Sequence, residues 1–221
     1  MLFHLMGKRR RTVQITYVGL AFLMAAGLVG AGIGSGTSGG LFDIFGGGSG
    51  KSTANKTIEK RIATAERSLR INPKNEAAMV TIVRSHYTLA STDANQQTGQ
   101  FSKDGKAELA KASAAWQRYL ASSPKKPDAS LAAVMLVAYS RVGLNQAANA
   151  ARTAEILANV NNSAAAYIRF AACSTLAGQT RKATLAGQQA IQLAKKSQKS
   201  AARQEVKAAA TASTAAQYCS G

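Results

Sequence analysis

One stretch limits what this chain can become: the apolar run Val13–Gly34, VQITYVGLAFLMAAGLVGAGIG, preceded by Lys8-Arg9-Arg10-Arg11. An α-helix rises about 1.5 Å per residue, so roughly 20 apolar residues cross a hydrocarbon layer about 30 Å thick. Gln14 and Thr16 are the polar interruptions, both near the basic end. Tyr17 is the one ionisable side chain, and it suits the membrane interface. An Arg-rich flank and a Gly-rich tail offer a buried core helix nothing to pack against. A cleaved signal has an apolar region of only about 7–15 residues, although the small residues after Ala31 leave cleavage there as the competing reading. The expectation is a single-pass transmembrane helix over 13–34. Four cations on one side keep residues 1–12 in the cytoplasm and place 35–221 outside. Within the span Ala26, Gly30 and Gly34 recur every four residues, a stripe of small residues through which two copies could pair as a homodimer.

Residues 35–55 read as a flexible Gly/Ser-rich linker around an apolar island, Leu41-Phe42-Asp43-Ile44-Phe45, suited to the headgroup boundary. GGGSGKS at 46–52 has the ending of a phosphate loop. In G-x-x-x-x-G-K-S, however, the first Gly would have to occupy position 45, which is Phe45. No strand–helix alternation follows, so nucleotide binding is not expected.

The chain carries 28 Lys and Arg against 10 Asp and Glu, +18 in all, and 24 against 9 from residue 51 onward. The outer portion is thus basic in its own right and attracted to polyanions. For an external domain, lipid headgroups and acidic envelope polymers are nearer than nucleic acid, which is not an expected partner. Two cysteines, Cys173 and Cys219, lie on the outer side, where a disulfide can persist. They either bridge, tying the C-terminus to an earlier helix, or remain a buried residue and a free thiol near a frayed end.

From Thr57 onward the chain is rich in Ala, Lys, Gln, Arg and Leu, with no period-two run of β-branched residues, and reads as all-α. Ile58, Ile62, Ala65, Leu69 and Ile71 form a stripe that stops at Asn72-Pro73. A second helix carries Met79, Ile82, Val83, His86, Tyr87 and Leu89. Residues 91–102 make a polar loop, and a third helix runs from about Lys103 to before Ser123-Pro124 with Leu109, Ala112, Trp116, Tyr119 and Leu120. Asp128 can cap a fourth helix, which Gly143 ends. Asn145 can start a fifth, Asn162-Ser163 a sixth closed by Gly178, and helices near 180–196 and 198–218 complete the set.

Gly143 and Gly178 stand 35 apart, each in a turn between helices, as do Ala148 and Ala183, small residues placed where those helices would cross. Trp116 and the prolines after the first and third helices belong to the same pattern. Helix pairs of about 34 residues with these features resemble tetratricopeptide repeats over roughly 56–196, without the family's W-L-G-Y run in a first helix. The whole layout also resembles bacterial single-pass envelope proteins that carry such repeats. The resemblance implies a solenoid of about four helix pairs over 56–221, with the helix at about 198–218 as a C-terminal cap.

Catalysis and metal binding are not expected. His4 and His86 are the only histidines, no carboxylate pair accompanies either, and the two cysteines have no neighbouring histidine. No cofactor is implied. A repeat stack presents its first helices on a concave face where peptides dock. The positions expected to line it are Val80, Arg84 and Tyr87, then Ala133, Val137 and Arg141, then Ile168, Arg169 and Ala172. A basic patch of Arg181, Lys182, Lys195, Lys196, Lys199, Arg203 and Lys207 faces only Glu205 across 181–207. The leading expectation is a non-enzymatic, membrane-anchored scaffold that binds an envelope protein or peptide. The alternative is a module that binds polyanions or an anionic membrane surface through its basic C-terminal helices.

Overall fold

The computed structural model describes residues 50–95, 97–122 and 124–220. The run 13–34, with Ala26, Gly30 and Gly34, and the island 41–45 lie outside the described residues. No helix among those described is long and apolar enough to cross a membrane.

Every regular element described is helical: α1 Gly50–Ile71, α2 Glu76–Thr92, α3 Lys103–Ala121, α4 Ala129–Tyr139, α5 Ala147–Asn161, α6 Ala164–Leu176, α7 Thr180–Leu193, a 3-10 turn Lys196–Gln198, α8 Lys199–Ala209 and α9 Ala212–Ser220. Two compact units divide at 57/58, so the first turns of α1 belong to one and residues 58–221 to the other. The second unit holds the larger part of α1 and every later helix.

Helix boundaries follow local chemistry. Asn75, Ser102, Asp128 and Ser163 each accept a hydrogen bond from the backbone N–H three residues on, capping α2, α3, α4 and α6. Asn162 turns left-handed at φ 43° to end α5, and Ser163 starts α6 at once, so two residues suffice for the reversal. Asn145 does not cap α5 as expected. It takes a left-handed turn at φ 52°, and the helix begins at Ala147 without a side-chain cap.

From α2 onward successive helices pack as hairpins: α2 on α3, α4 on α5, α5 on α6 and α6 on α7, with α2 and α3 both reaching α4. The centre is bulky at α3–α4, where Trp116, Leu109, Leu131 and Met135 are fully buried. Trp116 stacks on Tyr119 with ring centroids 5.4 Å apart. The Tyr119 hydroxyl accepts from the Asp128 backbone N–H at 3.0 Å, which ties α3 to the start of α4. Farther along, the helices meet through small residues: Ala151, Ala154 and Ala158 of α5, and Ala186, Gly187 and Ala190 of α7. These, not Ala148, which is exposed, or the half-buried Ala183, sit where helices approach.

Two further expectations are corrected. Ile71, counted in the stripe of α1, is 88% exposed, because the helix ends there and its side chain falls beyond the packed face. The single C-terminal helix is two, broken at Ala210-Thr211, where the Thr214 hydroxyl bonds the Ala208 carbonyl and draws the chain out of the helical path. After the break α8 packs on α6 and α7, while α9 lies across α6 and reaches α4. Cys173 of α6 and Cys219 of α9 are joined (S–S 2.06 Å).

Candidate functional site

Helix α1 is the exception in the packing. Ile62, Ala65 and Leu69 are buried, yet its backbone approaches no other helix as closely as α2 and α3 approach each other. Side chains alone bridge the gap, and an open groove of about 970 Å³ remains between α1, α2 and α3. Its buried lining comes from α2, whose Met79, Ile82 and His86 lie on one face at spacings of three and four, and from Ile62 and Leu69 at the base of α1. Its exposed lining comes from α1, with Glu59, Glu66 and Arg70, and from α3, with Lys111, Ala114 and Arg118. Helix α2 is therefore the floor, and α1 and α3 are the walls.

At the α2–α3 seam, His86 Nδ1 lies 2.6 Å from Glu108 Oε2, and Lys111 Nζ lies 2.6 Å from Glu108 Oε1. Burial raises the Glu108 pKa, but the hydrogen bonds and charges of Lys111 and His86 outweigh it and leave it lowered. The ionised carboxylate can only accept, so the His86 proton on this side sits on Nδ1. This pairing is invisible to a reading along the chain, since the partners are 22 residues apart. No Ser, Thr or Cys lines the groove beside the pair. No cluster of His, Cys, Asp and Glu suited to a metal occurs among the described residues.

The nine positions expected to line a concave face do not form one open surface. Arg84 donates to Asp128 Oδ2 at 2.9 Å and to Ser130 Oγ at 2.7 Å, bracing α2 against the start of α4. The Ser130 hydroxyl chiefly lowers the Asp128 pKa against burial, with the Leu131 N–H and Arg84 adding to it. Tyr87 meets the buried Phe101 edge-on at 6.2 Å, and Val80 is half-buried at the margin of the core. Ala133 and Arg141 are exposed, and Val137 and Arg169 are half-buried. Ile168 and Ala172 are buried outright, because α6 is enclosed by α5, α7, α8 and α9.

The basic patch is likewise dispersed. Arg181 and Lys182 open α7, whereas Lys195 and Lys196 follow its far end, about 20 Å away along the axis. Lys182 pairs with Glu155 at 2.7 Å. Lys199, Arg203 and Lys207 share one face of α8 at four-residue spacing. Comparison with known protein families, curated proteins and solved structures finds no match for this chain.

Proposed function

We propose that this chain is a non-enzymatic adaptor, tethered in a bacterial cell membrane through residues 13–34, whose tetratricopeptide-like outer domain holds a segment of another envelope protein. The observation that carries this reading is the groove of about 970 Å³ between α1 and α3, with an apolar floor and charged walls. Grooves with that pairing of features bind peptides and helices. His86 and Glu108 act here as a clamp between α2 and α3, since nothing beside them in the groove could serve as a hydroxyl or thiol nucleophile. The test is a photo-crosslinking residue placed at Ile62 or Ala114 in intact cells, with one at the exposed Ala148 as control. A discrete adduct from the groove positions alone, identified by mass spectrometry, is expected. Adducts of equal yield from Ala148, or none from the groove, would end the proposal.

A second reading has its own observation: the α8 stripe of Lys199, Arg203 and Lys207, which has no ion pair among the described residues. Such a stripe suits an anionic lipid surface, at about 1 kcal/mol per cation close to the membrane. Binding to anionic vesicles that disappears at moderate salt, and is lost in the triple Ala variant, is its signature.

A further inference from the structure

We propose that the groove takes one kind of occupant: an amphipathic α-helix whose apolar stripe is flanked by basic residues on one side and acidic residues on the other. This rests on the adaptor reading and specifies the partner's chemistry.

Spacing is the first indication. On α1, Glu59 and Glu66 are seven residues apart, and so are Ile62 and Leu69. On α2, Ile82 and Leu89 are seven apart; on α3, Lys111 and Arg118 are seven apart. Seven residues are about two helical turns, so each side of the groove presents the same residue type at the rise with which a helix repeats its own face. A helix laid lengthwise meets the carboxylates of Glu59 and Glu66 along one edge, with Arg70 at the far end of that wall. Along the other edge it meets the cations Lys111 and Arg118, where Glu108 is already held by Lys111 and His86, and beneath it lie apolar side chains, in register with its own turns. An extended strand alternates with period two and finds no such match.

Length agrees. From Glu59 to Arg70 the α1 wall runs about 16 Å, enough for three turns of a partner. Charge narrows the class further. Glu59, Glu66 and Glu108 are three of only ten acids in a chain of net charge +18, and all three line this groove. Glu59, Glu66 and Arg118 have no ion-pair partner among the described residues, while Lys111 shares Glu108 with His86. A uniformly acidic helix, drawn in by the overall positive field, would meet Glu59 and Glu66 at close range. A uniformly basic one would meet Lys111 and Arg118. Only the mixed helix satisfies both walls, and because reversing a helix exchanges its flanks, the placement of its charges sets the polarity in which it docks.

The experiment uses the full chain in nanodiscs of neutral lipid and four labelled helical peptides that share one Leu/Ala stripe. Their flanks are mixed, all acidic, all basic or all Gln, and binding is read by fluorescence anisotropy. The mixed peptide is expected to bind about tenfold tighter than any other. In the E59K/E66K variant, whose substitutions lie on exposed positions and whose helicity is checked by circular dichroism, the all-acidic peptide should become the tightest. An all-acidic peptide ranking first on the unaltered chain would mean that overall charge alone governs binding, and overturns the proposal. Equal binding of all four peptides, or none, does the same. If the peptides fail while crosslinks from Ile62 still identify a discrete partner, this inference falls and the adaptor reading stands. If both fail, both fall.

Discussion

Two glycines separated by 35 residues do different work. At Gly178 the backbone is left-handed, φ 69°, and an added Cβ would meet nothing within 4 Å. Alanine there carries only the conformational cost, about 1–2 kcal/mol. At Gly143 an added Cβ would fall 2.3 Å from the Ala138 carbonyl oxygen, which already accepts from Leu144 N–H at 2.8 Å. Backbone must shift, and Gly143→Ala should cost about 3 kcal/mol. Asparagine separates the causes: Gly178→Asn should recover much of the loss and Gly143→Asn none, as read from denaturant midpoints. Equal losses at both sites would contradict this distinction. The spacing was legible in the sequence. The difference between the two sites was not, because it depends on a carbonyl five residues upstream. Glu108 offers a test by pH. Its folded-state pKa lies below its ordinary value, so its contribution is complete above about pH 4.5 and fades as pH falls through the lowered value. Glu108→Gln should therefore lower stability by about 1 kcal/mol at neutral pH, with the difference from the unaltered chain closing in acid. Thermal melts across pH 7 to 3 measure it, and a gap that widens in acid would reverse the sign.

At the scale of elements, helix α9 is short, and its deeply buried side chains are the small Ala215 and Cys219. Nine residues form no stable helix alone, and so little apolar area cannot hold one down. The Cys173–Cys219 bridge closes a separation of 46 residues, worth about 4 kcal/mol by the chain-entropy argument. Cys219→Ser should let α9 fray: amides of 212–220 should exchange near solvent rates while those of α6 and α7 stay protected. Uniform loss of protection would instead make α9 part of the cooperative core. Helices α2 to α7, apart from the start of α5, were readable from caps, prolines, turn residues and apolar spacing because those signals are local. The break at Ala210-Thr211 and the stand-off of α1 were not, and for a shared reason. One turns on a threonine hydroxyl reaching back six residues, the other on side chains that bridge to α2 and α3 without close backbone contact. The groove arises from that stand-off, although the seven-residue recurrence of Glu59 with Glu66 and Lys111 with Arg118 was in plain view.

Over the whole molecule charge opposes compactness. From residue 51 onward 24 cations face 9 acids. Three of the four ion pairs among the described residues, those of Arg84, Lys111 and Lys182, have a well-exposed cation, a kind worth at most about 1 kcal/mol each, and only His86–Glu108 is largely buried. Added salt weakens both the pairs and the mutual repulsion, so the sign of its effect shows which dominates. Repulsion involves every cation near another over a Debye length of about 30 Å at 0.01 M, whereas the pairs are few and local. Raising NaCl from about 0.01 to 0.15 M shortens that length to about 8 Å and should stabilise the helical domain by about 1 kcal/mol, or roughly 2–4 °C in melting temperature. Sodium chloride is the right salt, since sulfate also strengthens apolar burial and would confound the reading. The measurement is helical ellipticity against temperature for the full chain in a non-ionic detergent. A melting temperature that falls with salt would show that Arg84–Asp128, Lys182–Glu155 and the Glu108 cluster outweigh the surplus of cations. The surface would then be tuned for internal pairing, with little field left to draw in an anionic partner.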